Sequence, residues 1–451
     1  MGPAFEPAAR MRRYRIGAGQ GFYGDSPGAA LDMARHGEVS AIAFDALSEL
    51  TLAILQKDRQ RDPSLGYTRD LGAWMKRLLP IALDRRIALI TNAGGLNPEG
   101  AAEVVRKAAD GRPLRVATVH GDNLTERLGT LAVPLDHAVT GAAFGEVSDR
   151  VVFAAAYLGA GPLVEALSRG ADVVVTGRVA DSALFLAPLV HALGWAWDDW
   201  DRLAAGTVVG HLLECSGQAC GGNFSGDWAS VPEPWHLGYP LAEVSEDGVV
   251  VIGKPPGSGG RVTAETVSEQ LLYEVQDPTR YVCPDVCVDF TDVGLRDLGD
   301  NRVEVEGTRG AARPELLKVV IGYSDGWMGE GRVGYCWPHA LKKARRAEEI
   351  LRHRLEMVGC KPRDILVEFQ GYDSLQPPRS EPDEVYLRVA VRTETRAEAE
   401  AMTREMPYLA LNGPPGLGGY GGVTPPRELL GIWPTLVPRE IVERDVHVEV
   451  T

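Results

Sequence analysis

The sequence predicts an α/β protein. A Rossmann-like, mostly parallel sheet with helices on both faces comes first. An α+β part in ferredoxin-like split βαβ order follows. Three observations predict this. Short, continuously apolar segments alternate with helical patterns up to about Trp228, as in a parallel sheet covered on both faces. Prolines and short alternating segments dominate after that point. From about Leu316 the pattern becomes β-α-β-β-α, the order of a split βαβ unit. The expected domains are therefore 14–228 and 229–451.

Tyr14–Ala18 reads as the first strand. A glycine-rich loop and Asp25-Ser26-Pro27 follow, a cap residue with proline in the first turn, so a helix should run to about His36. Ala41–Asp45 is a second strand. Leu47–Arg59 and Leu71–Arg85 repeat apolar residues at helical spacing. Strands at Ile87–Thr91, Leu114–Val119, Val151–Leu158 and Ala171–Thr176 continue the alternation, with helices at Pro98–Ala109 and Leu163–Arg169. Later strands are expected at Leu316–Tyr323, Ile365–Gly371 and Val385–Thr393, and helices at His339–Val358 and Arg396–Leu411. Asp445–Val450 is the candidate last strand, and Gly413–Pro426 reads as a long loop because of its glycines.

Composition narrows the function. The chain has 451 residues and a formal net charge of −15. Nucleic-acid binding needs a basic footprint, so it is not expected. Anionic membrane surfaces are disfavoured for the same reason. No apolar run approaches the ~20 residues that span a bilayer, and the first residues lack the apolar core of a secretory leader. Six scattered cysteines fit a reducing compartment. A cytoplasmic protein is expected.

Ligands of parallel sheets sit beyond the carboxyl ends of the strands. Here those ends carry GQGFYGD, NAGGLNP, HGDN and TGRVAD. The expected substrate contacts are Asn92, Gly94, Gly95, Asn97, Asp122, Arg178 and Asp181. Arg178 is suited to a carboxylate or phosphate; its alternative is a structural pair with Asp181. Gly19, Gly21 and Gly24 match a Gly-x-Gly-x-x-Gly pattern, with Asp45 about 20 residues on, where a dinucleotide's ribose would be held. Against this, Asp25-Ser26-Pro27 restarts the helix after the glycines, and Phe22 and Tyr23 are bulky where a pyrophosphate must approach. Asp25 would then be a helix cap beside a pocket, or a catalytic carboxylate.

The stretch GHLLECSGQACGGNF puts His211, Glu214 and Cys215 on one helix face. His211 and Glu214 are the acid–base candidates, and a divalent metal is the other use of such a pair. Gly221, Gly222 and Asn223 should bring backbone close to a ligand. Cys215 and Cys220 read as buried thiols, as do Cys283 and Cys287. Gly257-Ser258-Gly259-Gly260-Arg261, ahead of a helix, is an anion-cradle candidate or a plain connection.

Taken together, GFYGD, TNAGGLNP, AYLGA, GADVVVTGRVADSAL, GHLLECSGQACGGNF, DPTRYVCPDV and the Pro/Gly loop near Tyr420 resemble the acyclic terpene utilisation (AtuA) family over nearly the whole chain. The resemblance implies a role in breaking down citronellol- or geraniol-type compounds, beside acyl-CoA enzymes. AFDALSE and Cys220 depart from the family's pattern, which bears on a shared substrate more than on a shared fold. The leading expectation is an enzyme of hydratase or lyase type on a branched acyl substrate, with coenzyme A as part of that substrate. The alternatives are an NAD(P)-dependent oxidoreductase and a non-catalytic subunit of an acyl-CoA enzyme. A homo-oligomer is expected.

Overall fold

The computed structural model describes residues 12–377 and 380–451; residues 1–11, which bear on the reading of a leader, lie outside them. The chain is a mixed α/β protein that divides into two compact units. One holds the residues up to Glu146, Phe153–Ile321 and Trp433–Thr451, the other Val147–Val152 and Gly322–Ile432. The change of texture near Trp228 thus falls inside the first unit.

In the first unit, β1 (Arg13–Gln20), β2 (Ala41–Phe44), β3 (Ala88–Thr91), β4 (Val116–His120) and β6 (Val173–Thr176) run parallel in the order β1-β2-β3-β6-β4. The strand between β4 and β6 in sequence, β5 (Val151–Ala156), pairs outside this sheet, with β14 (Leu316–Cys336). Parallel neighbours need crossovers. Helices α1 (Pro27–His36), α2 (Glu49–Arg61), α3 (Leu71–Arg85) and α4 (Pro98–Ala108) lie in the first three. α1, α3 and α4 pack in succession. β6 reverses the direction of travel, and α5 (Gly161–Ser168), α6 (Ala183–Leu193) and α7 (Trp200–Leu213) form a second packed row. α6 and α7 are buried almost all round, so they show no amphipathic stripe to read.

Antiparallel strands extend both edges of this sheet. β7 (Leu241–Ser245) and β8 (Val250–Gly253) follow β1, and β11 (Gly294–Gly299) and β12 (Arg302–Glu306) continue beyond β8. β9 (Tyr281–Val282), β10 (Cys287–Asp289) and β13 (Arg309–Ala311) make a separate small sheet, and α8 (Ala264–Leu272) precedes it. Tyr14–Ala18 is the middle of β1, and α1 starts at Pro27 under the Ser26 cap, as its residues required.

β14 enters the second unit at Gly322; α9 (Ala340–Met357), β15 (Asp364–Gln370), β16 (Glu384–Thr393), α10 (Arg396–Glu405) and β17 (Leu417–Pro438) follow it, and β17 belongs to the first unit again from Trp433. The sheet order is β15-β16-β14-β17. Three expectations are corrected here. Gly413–Pro426 is no loop: from Leu417 it forms β17. Two of its glycines have other side chains where their own would be; a Cβ on Gly419 would lie 2.9 Å from the Tyr386 hydroxyl and one on Gly421 2.8 Å from Arg332 Nε. The closing strand is therefore β17. Asp445–Val450 does hold a strand, β18 (His447–Val450), but it pairs antiparallel with β4, Val448 opposite Val119. The helix expected over Arg396–Leu411 breaks after Glu405.

Among the described residues no helix is long and apolar enough to cross a membrane. The glycines in β14 also have a packing reason. Gly329 and Gly331 face α10 and the turn after it, where a Cβ would lie 2.2 Å from the Ala399 carbonyl and 2.8 Å from Met406 Cγ. Bare backbone lets that segment lie flat on the sheet. Gly329→Val should cost about 1–3 kcal/mol by overpacking. Limited proteolysis should then cut first within 322–432; equal protection of variant and wild type would refute this account of the packing.

Candidate functional site

The register of the parallel strands builds the site. Phe44 pairs with Thr91, so the next residues, Asp45 and Asn92, meet. Asn92 Nδ2 donates to Asp45 Oδ1 (2.6 Å), and its Oδ1 accepts from Ala46 N (2.7 Å). Val119 pairs with Thr176, which brings Asp122 under the following loop, where its Oδ2 accepts from Arg178 N (2.7 Å). The carboxyl ends of β2 and β6 thereby aim Asp45, Arg178 and Asp181 at one cleft of about 690 Å³ within the first unit. Glu49, Tyr157, Glu214, Tyr281, Cys283 and Lys318 also line it, with Leu47, Val139, Leu317 and Leu436 among its apolar walls.

Arg178 is 1% exposed. Its guanidinium donates to the Leu47 carbonyl and to Asp181 Oδ1 and lies 4.1 Å from the centre of the Tyr157 ring. Lys318 Nζ lies 4.5 Å from the same centre. Tyr157 donates to Glu49 Oε1 (2.5 Å), which also takes Lys318 (3.0 Å). Burial alone would raise the Glu49 pKa; the Tyr157 hydroxyl and the Lys318 charge outweigh it and bring it down to about 2.

The other carboxyls go the opposite way. Burial, reinforced by Asp181, raises the Asp45 pKa well above the usual carboxylate range against the pull of Arg178. Burial raises Glu214 to about 7 against the pull of His211, and Asp122 to about 7 against its backbone N–H donors. Low dielectric penalises the charged form of each.

His211 does not line the cleft. It is buried behind Glu214, with Nδ1 3.3 Å from Glu214 Oε1, Nε2 3.2 Å from the Leu271 carbonyl, and Tyr281 and Phe290 against its ring. Burial opposes its cation, but Glu214 prevails and its pKa is raised. Asp25 sits beside the cleft as a clamp. It accepts from Gly21 N (3.0 Å), Ser26 N (2.6 Å), Ser216 Oγ (2.6 Å) and the Tyr239 hydroxyl.

The remaining expected contacts lie elsewhere. Asn97 caps α4 through Gly100 N (2.9 Å). Gly94 and Gly95 fit tightly against Thr176 and Leu55. The Cβ positions of Gly19 and Gly21 are filled by Phe44 and Ser216, while Gly24 turns with φ 92° in open space. Gly222 and Asn223 line a second chamber next to the cleft, and Gly221 packs against Val231. Arg261 is engaged by Ser230 Oγ and the Asp227 carbonyl, both at 3.0 Å. Among the described residues no three His, Cys, Asp or Glu side chains are arranged to hold a metal. Lys318, Tyr157 and Glu49 escaped the sequence reading. Glu49 looks like a helix N-terminus, and nothing local links it to residues more than a hundred positions away.

A family model described as acyclic terpene utilisation family protein AtuA matches residues 14–448. The chain belongs to that family. The AtuA match thus covers every residue that lines the cleft. No curated protein and no solved structure matches the chain.

The ionised Glu49 is stabilised by folding, so its contribution is present above its ordinary pKa of 4.5 and is lost as pH falls through about 2. Denaturation of wild type and Glu49→Gln should differ most above about pH 5 and converge in stronger acid. A constant difference across that range would contradict the Tyr157–Glu49–Lys318 arrangement.

Proposed function

We propose that the chain acts in the breakdown of acyclic terpenes or related branched acyl compounds, as a cytoplasmic enzyme of hydro-lyase type working on the acyl thioester. The first unit serves as a Rossmann-like scaffold, and the second has ferredoxin-like order. One observation carries the reading. Glu214, a buried carboxyl on an apolar-walled cleft, has a pKa near 7 and therefore takes and gives a proton at neutral pH.

The chemistry is addition of water across a double bond conjugated to the acyl carbonyl. Glu214 removes a proton from water as its oxygen bonds to the β-carbon. The electron pair moves to the carbonyl oxygen, where Lys318 or a protonated Asp45 stabilises the charge. A proton then returns to the α-carbon, so atoms and charge balance. His211 holds Glu214 in place and tunes it. Arg178 positions the Leu47 and Asp181 segments from beneath. The family's description and the apolar walls support the branched acyl class. The nicotinamide alternative needs open backbone at Gly19 and Gly21, and Phe44 and Ser216 occupy that space.

Hydration of branched enoyl thioesters, followed at the conjugated thioester absorbance, tests this. Glu214→Gln should lower kcat by about 10²–10⁴ with the fold intact; undiminished turnover would remove Glu214 from the chemistry. The pH profile should break near 7. His211 pulls the Glu214 pKa down, so His211→Phe should move that break upward. A break that stays put would mean that His211 does not tune Glu214.

A further inference from the structure

A chamber of about 540 Å³ adjoins the acid–base cleft. Gly21, Phe22, Cys215 and Tyr273 line both spaces and form the neck between them. Each space alone has the ~300–1,000 Å³ of a small-molecule site, so an occupant that uses both is long and has two parts. The linings differ in kind. The cleft carries Asp45, Arg178, Asp181, Glu214 and Lys318. Among the described residues no Lys, Arg, Asp or Glu lines the chamber; its one ionisable nitrogen base, His236, is engaged by Asp32 Oδ2 at 2.8 Å.

Neutral hydrogen-bonding groups take their place. Asn223 Nδ2 donates to Gln218 Oε1 (2.9 Å), and Asn223 Oδ1 has no partner among the described residues. Ser26, Ser216 and Leu237 also line the chamber, the Ser216 hydroxyl donating to Asp25. Trp235 is 84% exposed at the rim and Phe22 58% exposed at the neck. Both rings offer flat apolar surface against which an occupant can pack. Amide groups, apolar surface and the lack of cations suit a flexible, uncharged, amide-bearing chain and do not suit a phosphate.

We propose that this chamber holds the pantetheine-type arm of a carrier thioester, with the thioester at the Cys215 neck and the acyl group in the cleft. This rests on the reading of the cleft as an acyl site. It adds where the carrier lies, and it places any phosphates of the carrier outside the chamber.

Isothermal titration with isovaleryl-pantetheine and with free isovalerate tests it. The thioester should bind wild type at least about tenfold more tightly than the acid. Trp235→Ala, an exposed position whose loss should not disturb folding, should weaken the thioester about fivefold, the scale of one aromatic contact, and leave isovalerate unchanged. Asn223→Gly, which keeps the left-handed backbone of that residue (φ 54°), should act in the same direction. If isovalerate binds but the thioester gains nothing, or both variants bind the thioester like wild type, the chamber assignment is overturned and the acyl cleft stands. If neither probe binds, both fall together.

Discussion

The buried Arg178 guanidinium organises the first unit, because an arginine taken out of water costs several kcal/mol unless its charge and donors are met. Three segments meet them. The Leu47 carbonyl comes from the turn after β2, Asp181 from the loop after β6, and the Tyr157 ring from the chain after β5. Asp122, after β4, holds the Arg178 backbone itself. One cation thus ties together the carboxyl ends of elements that are far apart in sequence. The segments of Leu47, Tyr157 and Asp181 also contribute residues that line the cleft, so the fold and the site share one electrostatic constraint.

That constraint divides the carboxyls into two kinds. Glu49 is served by a phenol and an ammonium and stays ionised far into acid. Glu214 and Asp45 are buried with less compensation and hold protons more readily. Pairs of acids pushed apart in this way are the usual means of running proton transfer at neutral pH. Lys318, paired with Glu49, adds a positive charge to the same lining. Membership of the acyclic terpene utilisation family gives this arrangement its metabolic setting.

The division of labour between glycines and charges recurs along the chain. In β14 and β17, glycines make room for neighbouring side chains and keep a long sheet intact. At Gly19 and Gly21 they let Phe44 and the Ser216 turn approach β1. A glycine-rich stretch is therefore a poor guide to ligand binding here: in both places the space beside the backbone is taken by the protein itself.

Sequence alone determined much of the first unit. Short apolar strands, proline-opened helices and cap residues are local signals, and their physics acts within a few residues, so β1 to β4 and α1 to α4 were legible. The ends of β2 and β6 also pointed to Asp45, Arg178 and Asp181. Tertiary structure decided which strands pair. β18 reads as a strand from its alternation but gains its partner, β4, only through contacts across more than three hundred residues. β17 looks like a loop until Tyr386 and Arg332 fill the places beside its glycines. It also decided the chemistry of the site. His211 was on the right helix face but is sealed behind Glu214. Lys318, Tyr157 and Glu49 carry no motif. Their roles come from a low-dielectric neighbourhood, and burial is a property of the whole packed chain that no short stretch of residues encodes.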